Sequence, residues 1–356
     1  MSNKALNRAK VDINDEFFTL YEDIEKEVEH YILYFENKVV YCNCDDYRLS
    51  NFFRYFVVNF DRLKLRRLYC SNYTDMKFVG SVSDSYLVEI NSVQGLSICE
   101  NKFDIDYLLS IGGNFITKLY SGGDFRSIEC LNVLQKSDIV CTNPPYSLLG
   151  DFYTTLFKFN KKFLCVSNFN MLTNVGVYDK FCKNLFWSGY TNIKKFIDYK
   201  NTQLNGGGTN TVRMKSIATS DWFTNLPKSP TKFPFTKKYS EGRYLKVLNY
   251  INTIYVGRLS QMPGDFDGYM AVPMTFYRYY NPVEFEIFCI PLERDRIKTI
   301  INYEFIHRCW NNGINIPEYR EPIIELPESM SDKASFSLDG KHYKVCYRGW
   351  VIKRKS

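Results

Sequence analysis

A chain of 356 residues can hold two domains and a sizeable core, and 45% hydrophobic with 24% charged residues is an ordinary globular balance. No signal peptide opens it and no run of about 18 apolar residues occurs, so no membrane span is expected; the 11 cysteines and three histidines lack metal-ligand spacing, which argues against a zinc site or a disulfide framework and for a reducing, intracellular setting. The net charge of +7 is uneven, because residues 1–225 carry 26 Lys/Arg against 25 Asp/Glu (+1) and residues 226–356 carry 20 against 14 (+6), which places the surplus where it can meet phosphates.

Residues 1–14 are polar and expected to fray. Leu20, Tyr21, Ile24, Val28 and Tyr31 then recur at helical spacing. Lys38 to Cys42 reads as a strand running into the tight acidic turn Asn43-Cys44-Asp45-Asp46. Ser50 is placed to cap a helix carrying Phe52, Phe53, Phe56 and Val57. Strand, turn and helix make the first half of a nucleotide-binding βαβ unit. Acidic groups in such a turn can accept bonds from an ammonium or from ribose hydroxyls. Arg67 to Cys70 reads as a second strand, and residues 76–100 as a hairpin or insertion. Asp124-Phe125 precedes a helix with Leu131, Val133 and Leu134. From these residues alone, Asp124 is equally well an acidic helix cap or a ligand contact.

Ile139, Val140 and Cys141 form a buried strand that meets Asn143-Pro144-Pro145-Tyr146. The two prolines end the ladder and stiffen the turn. The Asn143 amide oxygen and the Pro144 carbonyl are therefore available to hold an amino group, beside the flat ring of Tyr146. A helix over 148–159 and a strand over 163–167 follow. Residues 192–197 read as a further strand, 205–210 as a polar loop and 216–223 as a late strand. Pro227, Pro230 and Pro234 mark a boundary. Beyond it come short aromatic strands and turns, with Met270 to Met274 as core. Basic groups lie within 252–258, at Arg278 and at Lys353-Arg354-Lys355. The aromatic share, 17%, is high. An A/T-rich coding sequence accounts for it, and base stacking applies to a few of these residues at most.

The Asn-Pro-Pro-Tyr turn resembles the catalytic motif of S-adenosylmethionine-dependent amino-methyltransferases, which act on DNA adenine, RNA or protein glutamine. Five blocks, one of which holds this turn, narrow the choice: residues 40–46 with 50–56, 123–127, 138–147, 221–226 and 264–276 with Asn281-Pro282. In this order they resemble the EcoRI-type adenine-specific DNA methyltransferases, over most of residues 15–290. Common methyltransferases carry a glycine-rich turn after the first strand, and this chain has none.

The resemblance implies an α/β fold: a class I, Rossmann-like S-adenosylmethionine-dependent domain over 1–226, then a smaller α+β target-recognition region over 227–356. It implies methyl transfer to N6 of a flipped-out adenine in double-stranded DNA, in a restriction-modification, phage or mobile-element setting and in the cytoplasm. The catalytic turn is Asn143, Pro144, Pro145 and Tyr146. Phe18, Thr19, Cys44, Asp45, Asp46, Asp124, Phe125 and Asn143 are the expected cofactor contacts. Tyr146 and Phe223 are the expected contacts to the target base, although a strand phenylalanine is also a simple core residue. No metal is implied, and a monomer fits. The alternatives are an RNA or protein-glutamine methyltransferase, or a catalytically inactive DNA-binding relative.

Overall fold

The computed structural model describes residues 18–73, 84–197, 214–229, 232–288, 298–316, 321–346 and 349–355. The chain divides into one unit of Met1–Phe181 and Leu185–Pro227 and another of Cys182–Asn184 and Lys228–Ser356. The first runs through β1 (Phe18–Thr19), α1 (Tyr21–Val28), β2 (Val39–Cys42), α2 (Asn51–Val58), β3 (Arg67–Ser71), β4 (Ser85–Ile90), α3 (Ile105–Ser110) and β5 (Phe115–Leu119). It continues through α4 (Ile128–Lys136), β6 (Ile139–Thr142), α5 (Leu149–Lys158), β7 (Lys162–Asn168), α6 (Val175–Cys182), β8 (Trp187–Ser188), β9 (Phe196–Ile197), β10 (Met214–Lys215) and β11 (Ser220–Thr224).

Eight strands form one mixed sheet in the order β5-β4-β3-β2-β6-β7-β11-β8. β3, β2, β6 and β7 are parallel neighbours. Their apolar runs are buried throughout β2 and β6, as a strand covered on both faces requires. The flanking strands run antiparallel. The chain leaves β2 toward β3 on one side and returns to β6 on the other. The crevice beyond the carboxyl ends of β2 and β6 is thus a topological switch point, where open α/β sheets bind ligands. Much of the aromatic content is core. On β11, Trp222 packs against Phe52 of α2 with ring centroids 5.8 Å apart, and Phe223 faces Phe186 at 6.1 Å.

Two expectations need adjustment. Residues 192–197 contribute only β9, which joins β1 and β10 in a separate three-stranded sheet, while β8 takes the edge of the large one. Only Phe196 and Ile197 of that run find ladder partners, and they pair with β1 on one side and β10 on the other. Of the hairpin or insertion read over 76–100, residues 76–83 lie outside the described residues; the rest supplies one strand, β4, antiparallel to β3 and to β5 at 115–119, with α3 in the β4–β5 connection. The polar loop 205–210 lies outside the described residues.

Helix α1 buries Tyr21, Ile24 and Val28, as their spacing predicts, and also Glu27, which is fully buried. Glu27 sits three residues after Ile24 and so shares the inward face. Its carboxylate accepts from the backbone N–H of Tyr190 (2.8 Å) and of Thr191 (2.7 Å), from the Thr191 hydroxyl (2.6 Å) and from the Tyr31 hydroxyl (3.2 Å). Gly189 lets the segment approach, because a Cβ there would overlap Glu27 Oε1 and the Trp222 side chain. Glu27→Leu removes the acceptor of one buried and three partly buried donors and is expected to cost about 3 kcal/mol. Urea unfolding followed by circular dichroism checks this, and an unchanged midpoint would refute it.

The second unit holds β12 (Thr253–Tyr255), β13 (Tyr269–Pro273), β14 (Phe285–Phe288), α7 (Tyr303–Asn311), β15 (Ile323–Leu326), β16 (Phe336–Leu338), β17 (Lys341–Val345) and β18 (Gly349–Arg354). They make a four-stranded sheet, β12-β13-β18-β14, and a three-stranded one, β15-β17-β16. Met270, Ala271 and Val272 are core, as expected. Two of the three terminal basic residues serve the fold. Lys355 donates to the Pro282 carbonyl (2.6 Å), and Arg354 donates to the Gly264 carbonyl and pairs with Glu284 (3.5 Å). Among the described residues, no helix is long and apolar enough to cross a membrane, and no group of three His, Cys, Asp or Glu could hold a metal ion.

Candidate active site

The turns after β2, β3 and β6 meet at the switch point, and Asp45 joins them. Its backbone N–H donates to the Ser71 carbonyl at the end of β3 (3.0 Å), and its own carbonyl accepts from the Cys70 thiol (3.1 Å). Its buried carboxylate accepts from the Ser50 hydroxyl at Oδ1 (2.6 Å) and from the Thr142 hydroxyl at Oδ2 (2.5 Å). Thr142 directly precedes Asn143. Ser50 in turn caps α2, its Oγ accepting from the Phe52 and Phe53 N–H groups at 3.0 and 3.3 Å. One carboxylate therefore fixes the acidic turn, the start of α2 and the last residue of β6. Sequence reasoning found the Ser50 cap but missed Thr142, because nothing local signals a partner 97 residues away.

Asp46 is half-buried, and its Oδ1 accepts from the Arg48 N–H (2.8 Å) in a side-chain turn. Cys44 is half-exposed beside it. Thr19 is brought to this turn by Asn51, the first residue of α2, whose side-chain amide donates to the Thr19 carbonyl (2.8 Å). Thr19 Oγ1 and Asn43 Oδ1 are buried side-chain oxygens with no hydrogen-bond partner. Phe18 is half-buried next to Thr19. These residues gather at one place although they are spread from 18 to 51.

Asp124 and Phe125 reach the end of β3 through Gly123. That glycine has φ +69°, and a Cβ on it would overlap the Asn72 carbonyl oxygen, so the loop lies directly on the backbone after β3. Asp124 does not cap the helix. Ser127 does, its Oγ accepting from the Cys130 N–H (3.2 Å). Asp124 is instead gripped by Arg126, which donates from Nε and its backbone N–H to Oδ1 and from Nη2 to Oδ2, while Nη1 reaches Asp151 (3.1 Å). Burial raises the Asp124 carboxyl, but these bonds outweigh it and hold it below the usual carboxylate range. Phe125 is buried edge-on against Phe152, with ring centroids 5.4 Å apart.

At the Asn143–Tyr146 turn Pro144 is buried, Asn143 is half-buried with Oδ1 inside, and Pro145 is extended (φ −62°, ψ 125°). Tyr146 opens a short 3₁₀ turn, and its hydroxyl shares a 2.6 Å hydrogen bond with Ser220 Oγ at the start of β11. Ser220 lay outside every sequence block and gave no signal. Phe223 is corrected: it is fully buried in the middle of β11, paired with Cys165 and Ser188 and packed on Phe186. A ring enclosed by the sheet has no face for a base. Beneath the turns, Cys42, Cys70, Cys141 and Cys165 are buried on adjacent strands, and burial pushes each thiol well above its ordinary pKa. They are inert packing, with no thiolate to act as nucleophile.

The family model for adenine-specific methyltransferase EcoRI matches residues 5–323. The chain is 38% identical over 301 residues to the type II methyltransferase M.EcoRI of Escherichia coli, an overlap of 80% of this chain and 89% of that one. It is 35% identical over 295 residues to M.MgeORF184P of Mycoplasma genitalium, with 79% and 84% covered. M.MpnI of Mycoplasma pneumoniae is 32% identical over the same length and shares. No solved structure matches the chain.

Proposed function

The chain belongs to the adenine-specific methyltransferase EcoRI family, and we propose that it transfers a methyl group from S-adenosylmethionine to N6 of adenine in double-stranded DNA. The observation that carries this is the Asn143-Pro144-Pro145-Tyr146 turn at the carboxyl end of β6, beside the β2 turn that Asp45 ties to it. The first unit is then a class I methyltransferase domain with antiparallel additions to its sheet.

The residues present fit S-adenosylmethionine. Thr19 Oγ1 and Asn43 Oδ1 are buried polar atoms lacking partners, and such atoms persist where a ligand satisfies them. With Phe18, Cys44, Asp46, Asp124 and Phe125 they would line its site, and Asp45 would shape that site. When bound, the cofactor supplies an electrophilic methyl group on a sulfonium. The protein supplies orientation. An adenine amine has its lone pair delocalised into the ring and attacks poorly. The Asn143 side-chain oxygen and the Pro144 carbonyl accept its two hydrogens, favour a pyramidal nitrogen and aim the lone pair at the methyl group. The base is reached only by flipping it from the duplex, and Tyr146, held by Ser220, stacks on it; such stacking is worth roughly 1–3 kcal/mol, comparable with the unstacking it offsets. A restriction-modification or mobile-element setting in the cytoplasm suits this chemistry.

Incubating the protein with tritiated cofactor and duplex DNA, followed by long-read sequencing of the product, tests the reading. N6-methyladenine in a defined context is the expected result. Label in RNA or in protein glutamine, with none in the duplex, would replace it.

Target reading is assigned to the second unit, most of which lies within residues 226–356, where the charge surplus is +6. Residues 1–226 alone are expected to bind the cofactor yet to lose discrimination between a cognate and a scrambled duplex. Once circular dichroism shows that the fragment is folded, binding at two salt concentrations decides, and discrimination equal to that of the full chain would move target reading to the first unit.

A further inference from the structure

The first unit carries a cavity of about 360 Å³ lined by Tyr47, Arg48, Ser50, Arg54, Lys102, Phe103 and Ile105. Three of these are cations and none is an acid. The electrostatic bookkeeping of the unit sets it apart. Of the six described arginines there, Arg62, Arg66, Arg67 and Arg126 each pair with a carboxylate. The two that pair with none are Arg48 and Arg54, and both line this cavity. Lys102 has no ion pair either. In a unit whose sequence balances at +1 over residues 1–225, three uncompensated cations are gathered around one hollow.

The fold holds them there. Arg48 lies over the Tyr47 ring, 4.5 Å from its centroid. Arg54 donates to the Asn51 side-chain oxygen (3.2 Å). Lys102 ends a tight turn closed by reciprocal backbone bonds with Cys99, and the two central residues, Glu100 (φ +49°) and Asn101 (φ +60°), both adopt the left-handed conformation. That is costly for a glutamate, and such strain persists where the surrounding structure imposes it. Burial acts most on the Tyr47 phenol, followed by Arg48, with smaller effects of Asp46 and Asp106, and neither acid forms an ion pair with the three cations.

The cavity is also joined to the catalytic turn. Ser50 forms part of its wall, and Ser50 Oγ bonds Asp45, which bonds Thr142 next to Asn143. It therefore stands at the carboxyl edge of the parallel strands, the side from which a duplex must deliver its base. We propose that this cavity is a subsite for a backbone phosphate of the DNA, with Arg48, Arg54 and Lys102 holding the phosphate oxygens and Tyr47 and Phe103 packing against the adjoining sugar. The inference rests on the DNA-methyltransferase reading. It adds a phosphate grip within the catalytic unit to the DNA contacts assigned to the second.

The test compares full-length wild type with the Arg48→Gln/Lys102→Gln variant and with Lys102→Gln alone, which changes one exposed side chain and leaves Arg54 on its helix. Duplex affinity is measured at several salt concentrations, and cofactor affinity by calorimetry. Losing one phosphate contact should lower the slope of log affinity against log salt by about 0.9, with cofactor affinity unchanged, and Lys102→Arg should keep the wild-type slope. If the variants keep that slope while wild type methylates DNA, the subsite alone is refuted and the cations are solvated. A fall in cofactor affinity without a change in slope also overturns it, by giving the cavity to the cofactor carboxylate. If wild type itself neither methylates nor binds duplex DNA, the functional reading fails first and the subsite with it.

Discussion

Asn143→Ala is expected to reduce methyl transfer by about a hundred- to a thousandfold, the usual result of deleting one preorganised group that acts on the reacting centre. The structure separates this loss from other causes. Thr142, which precedes Asn143, keeps its bond to Asp45 in the variant, and Pro144 and Pro145 still set the backbone of the turn. Cofactor affinity should therefore stay within a few-fold of wild type. Asn143→Asp retains an acceptor at the same position and should recover part of the rate. Single-turnover methylation with tritiated cofactor, alongside calorimetry, reads both quantities. Near-normal turnover in Asn143→Ala would remove the acceptor role from this residue. A parallel loss of cofactor binding would instead make Asn143 a cofactor ligand in the first place.

The β6 strand and the Asn143–Tyr146 turn were legible because their signal is local. An apolar run followed by two prolines dictates a strand and a stiff turn whatever surrounds it. The Ser50 cap was legible for the same reason. What the sequence hid is long-range pairing between polar side chains. Thr142 with Asp45, Asn51 with Thr19, and Tyr146 with Ser220 leave no periodic trace. Where one residue type has two uses, the sequence leaves both open. Phe223 reads as a base contact or a core residue, and its place in β11 encloses it completely. Asp124 reads equally as a cap or a ligand contact; Ser127, three residues on, holds the cap and Arg126 takes the acid. The hairpin read over 76–100 stopped short of its return strand, because β5 lies beyond it at 115–119 and the helix in the connection carries only six residues.

Asp45 offers the sharpest division between two roles for one acid. As a cofactor ligand alone, its loss would weaken cofactor binding and leave turnover at saturating cofactor intact. The geometry assigns it a positioning role instead, since both carboxylate oxygens are engaged by protein hydroxyls, Ser50 on one side and Thr142 on the other. Asp45→Ala strands both hydroxyls in a buried site and is expected to cost about 3 kcal/mol of stability, the scale for hydrogen bonds to a charged group. It should also free the end of β6, so that Asn143 is held less well. Turnover at saturating cofactor should then fall by at least tenfold, together with a lower urea midpoint. Asp45→Asn keeps the shape and one good acceptor, and should fall between wild type and Asp45→Ala in both measurements, because one of its two hydroxyl partners must now accept rather than donate. Thr142→Val removes the same link from the other end while leaving the acidic turn and its Ser50 bond in place. It should lower turnover more than it weakens cofactor binding. If Thr142→Val behaves as wild type and Asp45→Ala raises only the dissociation constant for the cofactor, the carboxylate acts on the cofactor directly and does not position the catalytic turn.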